Sequence, residues 1–177
     1  DRKFDIIESV GVLHHMDNPM AGWQVLVDCL RSGGLMKIGL YSELARQPVL
    51  EMRQEISQSG IGSSEIEMKS FRSHSIASGE AQHKLVRSWV DFYSLSELRD
   101  LLFHVQEHRF TIPQLKQCLD ELGLKFCGFE KKQLISHFQE TNKNKGTPYD
   151  LDQWQTYEAA NPRAFAGMYQ FWCQKID

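Results

Sequence analysis

No stretch of the 177 residues approaches the ~20 consecutive apolar side chains that a membrane-crossing helix needs, and the opening Asp-Arg-Lys-Phe-Asp lacks the apolar core of a secretory signal. Neither a membrane nor an export role is expected. Cysteine is scarce: Cys29, Cys118, Cys127 and Cys173 stand far apart with no CxxC spacing, which excludes a zinc ribbon and predicts reduced, mostly buried thiols in a cytoplasmic setting. An excess of one charge is missing too. With 20 basic and 23 acidic residues the net charge is -3, so no long-range field draws the chain onto nucleic acid or an anionic membrane. Small molecules or proteins are the expected partners. What is present is an ordinary globular balance, 41% hydrophobic and 24% charged. At this length about two thirds of the unfolded surface is buried without disulfides.

The run Phe4 to Val10 is short, apolar and β-branched and ends at Gly11, which predicts a strand. Asn18-Pro19 starts a helix, since Asn caps and Pro suits the first helical position; Trp23, Leu26, Val27 and Leu30 recur at helical spacing until Gly33-Gly34. A second strand, Leu35 to Tyr41, completes a strand-helix-strand unit of about forty residues, the size of a right-handed crossover between parallel strands. The fold class is therefore α/β. From Ser42 to Gly123 the pattern is helical, with a helix from Glu43 to about Gln58. Ser94-Leu-Ser-Glu97 and Thr111-Ile-Pro-Gln114 both fit the capping box, with Tyr93 against Leu98 and Phe110 against Leu115 placed as staples. The helix ending at Leu122 stops at Gly123, and Leu124 to Glu130 reads as a third strand with a bulge at Gly128. A polar loop follows; Asp150 caps a helix to Asn161-Pro162, and Met168 to Lys175 alternates like a last strand. The chain thus divides into a strand-helix-strand unit (1–41), a helical insertion or lid (42–123) and two final strands with an intervening loop and helix (124–177).

In an open parallel sheet, ligands bind beyond the carboxyl ends of the strands. That places the first candidate site at Glu8 to His15, where Gly11 lets the backbone approach a ligand, and the second at Tyr41 to Arg46. Both also suit a plain strand-to-helix turn. His104-Val-Gln-Glu107-His108 matches the HxxEH zinc-protease pattern, but no third ligand is nearby and the match runs into the cap at Thr111, so it reads as a polar helix end and no metal is assigned. If the helical block folds over the ligand edge, His104, Glu107, His108 and Arg109 face a polar substrate. Gly60-Ile-Gly62 and Gly123 to Gly128 lack the context of a phosphate loop. The late aromatics Trp154, Tyr157, Phe165, Tyr169, Phe171 and Trp172 have few basic neighbours and read as core rather than base-stacking platforms.

Phe4-Asp-Ile-Ile-Glu-Ser-Val-Gly-Val-Leu-His-His-Met-Asp-Asn-Pro and Leu-Arg-Ser-Gly-Gly-Leu-Met-Lys-Ile-Gly-Leu-Tyr-Ser resemble the second half of a class I S-adenosylmethionine-dependent methyltransferase. The stretch from Phe92 to Thr111 and the closing Ala166-Gly-Met-Tyr-Gln-Phe-Trp-Cys-Gln-Lys are similar to bacterial members that carry tetratricopeptide repeats upstream. The resemblance implies a Rossmann-like sheet of which this chain holds strands four to seven. The glycine-rich loop after strand one and the acidic residue after strand two would then lie outside it, leaving the donor site incomplete and a fragment inactive alone. It further implies that Ser9, Val10, Gly11 and His14 border S-adenosylmethionine. The base candidates are His14, His15, His104 and Glu107, and the candidates for touching the unidentified methyl acceptor are Tyr41, Arg46, His108 and Arg109. The family usually joins strands six and seven by a short hairpin, whereas Lys131 to Gly167 intervene here. The rival expectation is a non-catalytic interaction module that dimerises through an exposed sheet edge.

Overall fold

The computed structural model describes residues 2–103, 106–141 and 147–176, in two compact units: residues 1–45 with 106–177, and residues 46–105. The first holds the sheet. Its strands are β1 (Phe4–Val10), β2 (Leu30–Ser42), β3 (Arg109–Phe110), β4 (Leu124–Phe129) and β5 (Tyr169–Lys175). The order is β1-β2-β5-β4, with β1 parallel to β2, β5 antiparallel to both β2 and β4, and β3 pairing parallel with the end of β2. The fold class is α/β as expected, and the sheet is mixed because β5 runs reversed, a direction its alternating pattern does not encode.

Helix α1 (Pro19–Cys29) starts where expected, the Asn18 side chain accepting from the Ala21 N–H. It ends sooner. The backbone is already extended at Leu30, before Gly33, so Leu30 belongs to β2 and fills the core there. Helix α6 (Ile112–Glu121) has the reciprocal Thr111/Gln114 capping box, and Gly123 at φ 63 ends it. In β4 the register shifts between Phe126 and Gly128, which sits at φ 115, as a bulge requires. Helix α7 (Lys132–Thr141) occupies the segment expected to be loop, because Leu134 and Phe138, four residues apart, are buried on one face. Helix α8 (Leu151–Ala160) carries the Asp150 cap. The core joins Trp23, Met36, Ile38, Leu119, Phe129, Phe138, Trp154, Phe165 and Phe171, so five of the six late aromatics are packing residues and Trp172 is half-buried.

The opposite sheet face is barely covered. By register, Ile6, Glu8 and Val10 stand beside Leu35, Lys37 and Gly39; Ile6 is 58% exposed, Val10 37% and Leu35 36%. Of the four free cysteines, Cys118 and Cys173 are buried and Cys29 and Cys127 half-buried. Burial pushes the Cys173 thiol up to about 12.

The second unit is helical: α2 (Gln47–Gln58), α3 (Glu65–Ala77), α4 (Ala81–Val86) and α5 (Leu95–Leu98) around Val49, Met52, Phe71, Val86, Phe92 and Leu98. Of the helical block expected over 42–123, residues 46–105 make this unit and α6 belongs to the first. Helix α2 begins at Gln47 rather than Glu43, because Pro48 suits only a first turn. Helix α3 has a full Ser64/Glu67 capping box. At α5 the expected staple pair is unequally buried, Leu98 lying in the core while Tyr93 is 60% exposed.

Candidate functional site

The carboxyl ends of β1, β2 and β4 and the start of the reversed β5 meet at one edge of the sheet. After β1, Gly11 turns at φ 77, its N–H donating to the Gly39 carbonyl, and a single helical turn at Leu13–His15 follows. The turn carries both histidines. His14 is fully buried and stacks on Tyr41, ring centroids 4.0 Å apart at 29°, while His15 meets the His14 ring edge-on at 4.4 Å. The His15 Nδ1 lies 3.2 Å from the carbonyl of Gln106. A carbonyl only accepts, so Nδ1 carries a proton toward it. Gln106 in turn donates to Asp17 at 2.6 Å, and the His108 N–H donates to the His14 carbonyl at 2.8 Å. The loops after β1 and before β3 are therefore tied together.

At the end of β2, Tyr41 and Ser42 stand opposite Arg109 and Phe110 of β3. Arg109 donates to Glu43 at 2.9 Å and lies 3.8 Å from the carboxylate of Glu107, whose side chain is 1% exposed. His108 and Arg109 border a cleft of about 300 Å³ lined also by Pro19, Met20, Gln114 and Gln117. A second cleft, about 310 Å³, lies between the end of β4 and the start of β5 and includes Met168, whose Cε is 3.7 Å from where a side chain at Gly11 would begin.

The structure thus brings Ser9, Val10, Gly11, His14, His15, Tyr41, Glu107, His108 and Arg109 into one unit. Gln106 to His108 are not helical and lead directly into β3, so the polar helix end expected at 104–108 is a correction: pairing with β2 takes the backbone at Arg109. His104 lies outside the described residues. Arg46 belongs to the second unit, where it is 3% exposed with its guanidinium 5.9 Å from the Trp89 ring.

Sequence reasoning missed a buried polar cluster at the same edge. Glu158, on α8, accepts from the Ser42 hydroxyl at 2.7 Å and from the Tyr169 hydroxyl at 2.8 and 2.7 Å. Burial pushes the Glu158 carboxyl above its ordinary range despite these donors, and burial with the neighbouring Glu158 charge pushes the Tyr169 phenol far up. The available signal was a charged residue on an apolar helix face, four residues after Trp154.

No family model matches the chain. An uncharacterized protein of Synechococcus sp., syc1184_c, is 28% identical over 170 residues, covering 88% of this chain and 40% of its own length. Among solved structures, PKMT2 from Rickettsia typhi in complex with AdoHcy superposes with a TM-score of 0.65 at 14% identity, over 97% of this chain and 35% of that one. A second structure of PKMT2 gives 0.67 at 15% identity, over 99% and 36%. The likeness is one of fold, and the chain spans well under half of each relative.

Proposed function

We propose that the chain is the C-terminal half of an S-adenosylmethionine-dependent methyltransferase, its β1, β2, β4 and β5 serving as strands four, five, six and seven of the family's sheet and residues 46–105 as a helical insertion. The observation that carries this reading is topological: two parallel strands followed by a reversed strand inserted between β2 and β4, on a fold shared with a protein crystallised with AdoHcy, the product left when the donor gives up its methyl. The uncovered sheet face with exposed Ile6, Val10 and Leu35 supports it as well, since parallel sheets are normally covered on both faces.

The residues at the edge fit the border of a nucleoside site. Val10 and Val12 offer exposed apolar surface, and Gly11 brings bare backbone to it. Ser9, Val10, Gly11 and His14 would hold the donor there, with further contacts supplied by residues beyond this chain. When bound, the donor would supply an electrophilic sulfonium methyl for the acceptor's lone pair, with sulfur keeping the electron pair of the S–C bond. His15 would take the acceptor's proton, with His14 beside it; Glu107 holds Arg109 in place, and Tyr41, His108 and Arg109 would contact the acceptor. The setting is cytoplasmic, and no helix of the described residues is long and apolar enough to cross a membrane.

Calorimetric titration of S-adenosylhomocysteine into this chain, and into one extended at its N-terminus to the relative's length, tests the reading. Saturable binding to the longer polypeptide, weakened by His14→Ala, is expected; binding to neither sinks it. A second reading rests on the exposed Phe4, Ile6 and Val10 of the edge strand β1, which suit pairing with another copy. Light scattering that finds a dimer in the extended polypeptide, with β1 still free to exchange deuterium, would count against that edge as the interface.

A further inference from the structure

Within the helical unit, Glu55 on α2 and Glu80 and His83 at α4 bring oxygen and nitrogen donors together, and His74 on α3 lies beside Glu55. His83, fully buried on α4, has its Nε2 2.8 Å from Glu55 Oε2 on α2 and 3.9 Å from Glu80 Oε2 at the start of α4. The other oxygen of Glu55 lies 3.4 Å from the Nε2 of His74 on α3. Donor atoms of Glu55, Glu80 and His83 all fall within 4.8 Å of one another. Ligands about 2.0–2.2 Å from a tetrahedral ion stand about 3.3 Å apart, so these separations straddle the required spacing. We propose that Glu55, Glu80 and His83 form a binding site for a divalent ion of the zinc type, with His74, 3.4 Å from the other Glu55 oxygen and outside that cluster, turning in as fourth ligand.

Charge and support favour this over a plain hydrogen-bonded network. Two carboxylates face two imidazoles, and among the described residues no lysine or arginine lies within ion-pair distance of Glu55 or Glu80, so a divalent ion neutralises the pair. The ligand histidine is oriented from behind: Ser75, itself fully buried, places its hydroxyl 2.9 Å from His83 Nδ1, the outer contact that fixes a ligating ring. In the empty site the 2.8 Å contact of Nε2 with Glu55 is an imidazole-to-carboxylate hydrogen bond; in the tautomer with Nδ1–H donating to Ser75, the Nε2 lone pair faces the same carboxylates and is able to take a cation. Entry is open, because a cleft of about 470 Å³ lined by Glu55, Ser59, Phe71 and His74 leads to the cluster. Imidazole with carboxylate suits zinc and its neighbours rather than calcium or magnesium. Bound there, the ion would staple α2, α3 and α4, independently of any methyl-transfer role.

The test uses the full chain stripped with a chelator and titrated calorimetrically with zinc chloride, with thermal melts in parallel. One equivalent should bind, and the melting temperature should rise by about 5 °C at roughly a hundredfold excess over Kd. Glu55→Gln and Glu80→Gln should each weaken binding by about tenfold or more. His83→Gln removes a buried group and can unfold the unit, so the exposed His74→Ala serves as its companion; cobalt absorption in the visible, losing intensity in that variant, reports the imidazole directly. Absence of saturable binding, or an affinity unchanged in both glutamate variants, overturns the proposal.

Discussion

Replacing Tyr169 by Phe removes one hydroxyl and no packing volume, which isolates the energetics of the buried carboxylate at the strand edge. The hydroxyl reaches both oxygens of Glu158, at 2.8 and 2.7 Å, and leaves only Ser42, at 2.7 Å, when it is gone. Both partners are out of solvent: Tyr169 is 0% exposed and Glu158 5%. A hydrogen bond to a charged group contributes about 1.5–3 kcal/mol, so a loss of about 2 kcal/mol at neutral pH is expected, or about 4–8 °C in melting temperature. The pH dependence carries a sign. Because burial raises the folded-state pKa of Glu158 above its ordinary 4.5, the folded protein holds the proton more tightly, and stability from this group is lost as pH rises above 4.5 through the raised value. Tyr169→Phe therefore costs most where the carboxylate is charged and falls toward about 1 kcal/mol, a neutral hydrogen bond, below that window. Urea unfolding followed by tryptophan fluorescence measures it. Trp89 lies in the helical unit, so a Trp89→Phe background confines the signal to Trp23, Trp154 and Trp172 of the sheet unit. In a Glu158→Gln background the same change should cost about 1 kcal/mol less, as coupled neighbours do. A loss that is independent of pH and additive with Glu158→Gln would refute the reasoning.

Thr111→Ala breaks the capping box that starts α6 and should cost about 1 kcal/mol, read as a lower urea midpoint with unchanged slope. Gly11→Ala meets nothing closer than Met168 Cε at 3.7 Å, so its cost is backbone strain alone at φ 77, on the order of 1–2 kcal/mol; the extended polypeptide should also bind S-adenosylhomocysteine more weakly, checked by calorimetry. Phe138→Ala empties a fully buried site stacked 3.9 Å from Trp154 and should destabilise by about 3–5 kcal/mol, with a visible change in Trp154 fluorescence.

Local rules made much of the sheet unit legible. Asn18-Pro19, Thr111 with Gln114, and Gly123 and Gly128 each act within a few residues, and each does in the structure what its chemistry suggests. The same capping-box rule marks α3 at Ser64 and Glu67, and Leu134 with Phe138 marks α7, so both helices are locally encoded. The direction of β5 is different in kind. Alternating Tyr169, Phe171 and Cys173 bury equally well whichever way the strand runs, and only partners more than a hundred residues away, Met36 and Ile38 among them, decide it.

Polar clusters divide along the same line. His14, His15 and Tyr41 could be nominated because strand ends are where a parallel sheet meets its ligands, a rule that needs only the strand boundaries. Glu158 could not be assigned to that edge from its helix alone. Its position depends on the reversed β5 bringing Tyr169 beside Leu40 and Ser42, so that a tyrosine at a strand's beginning meets a serine at another strand's end. The reversal thereby decides where the fold must solvate a buried carboxylate. Any polypeptide that kept the apolar alternation of β5 but lost Tyr169 would keep the sheet and strand Glu158 with a single donor, a condition that favours its neutral form. The carboxylate's affinity for the proton would rise further beside Ser42 at the end of β2, while the apolar alternation keeps the fold intact.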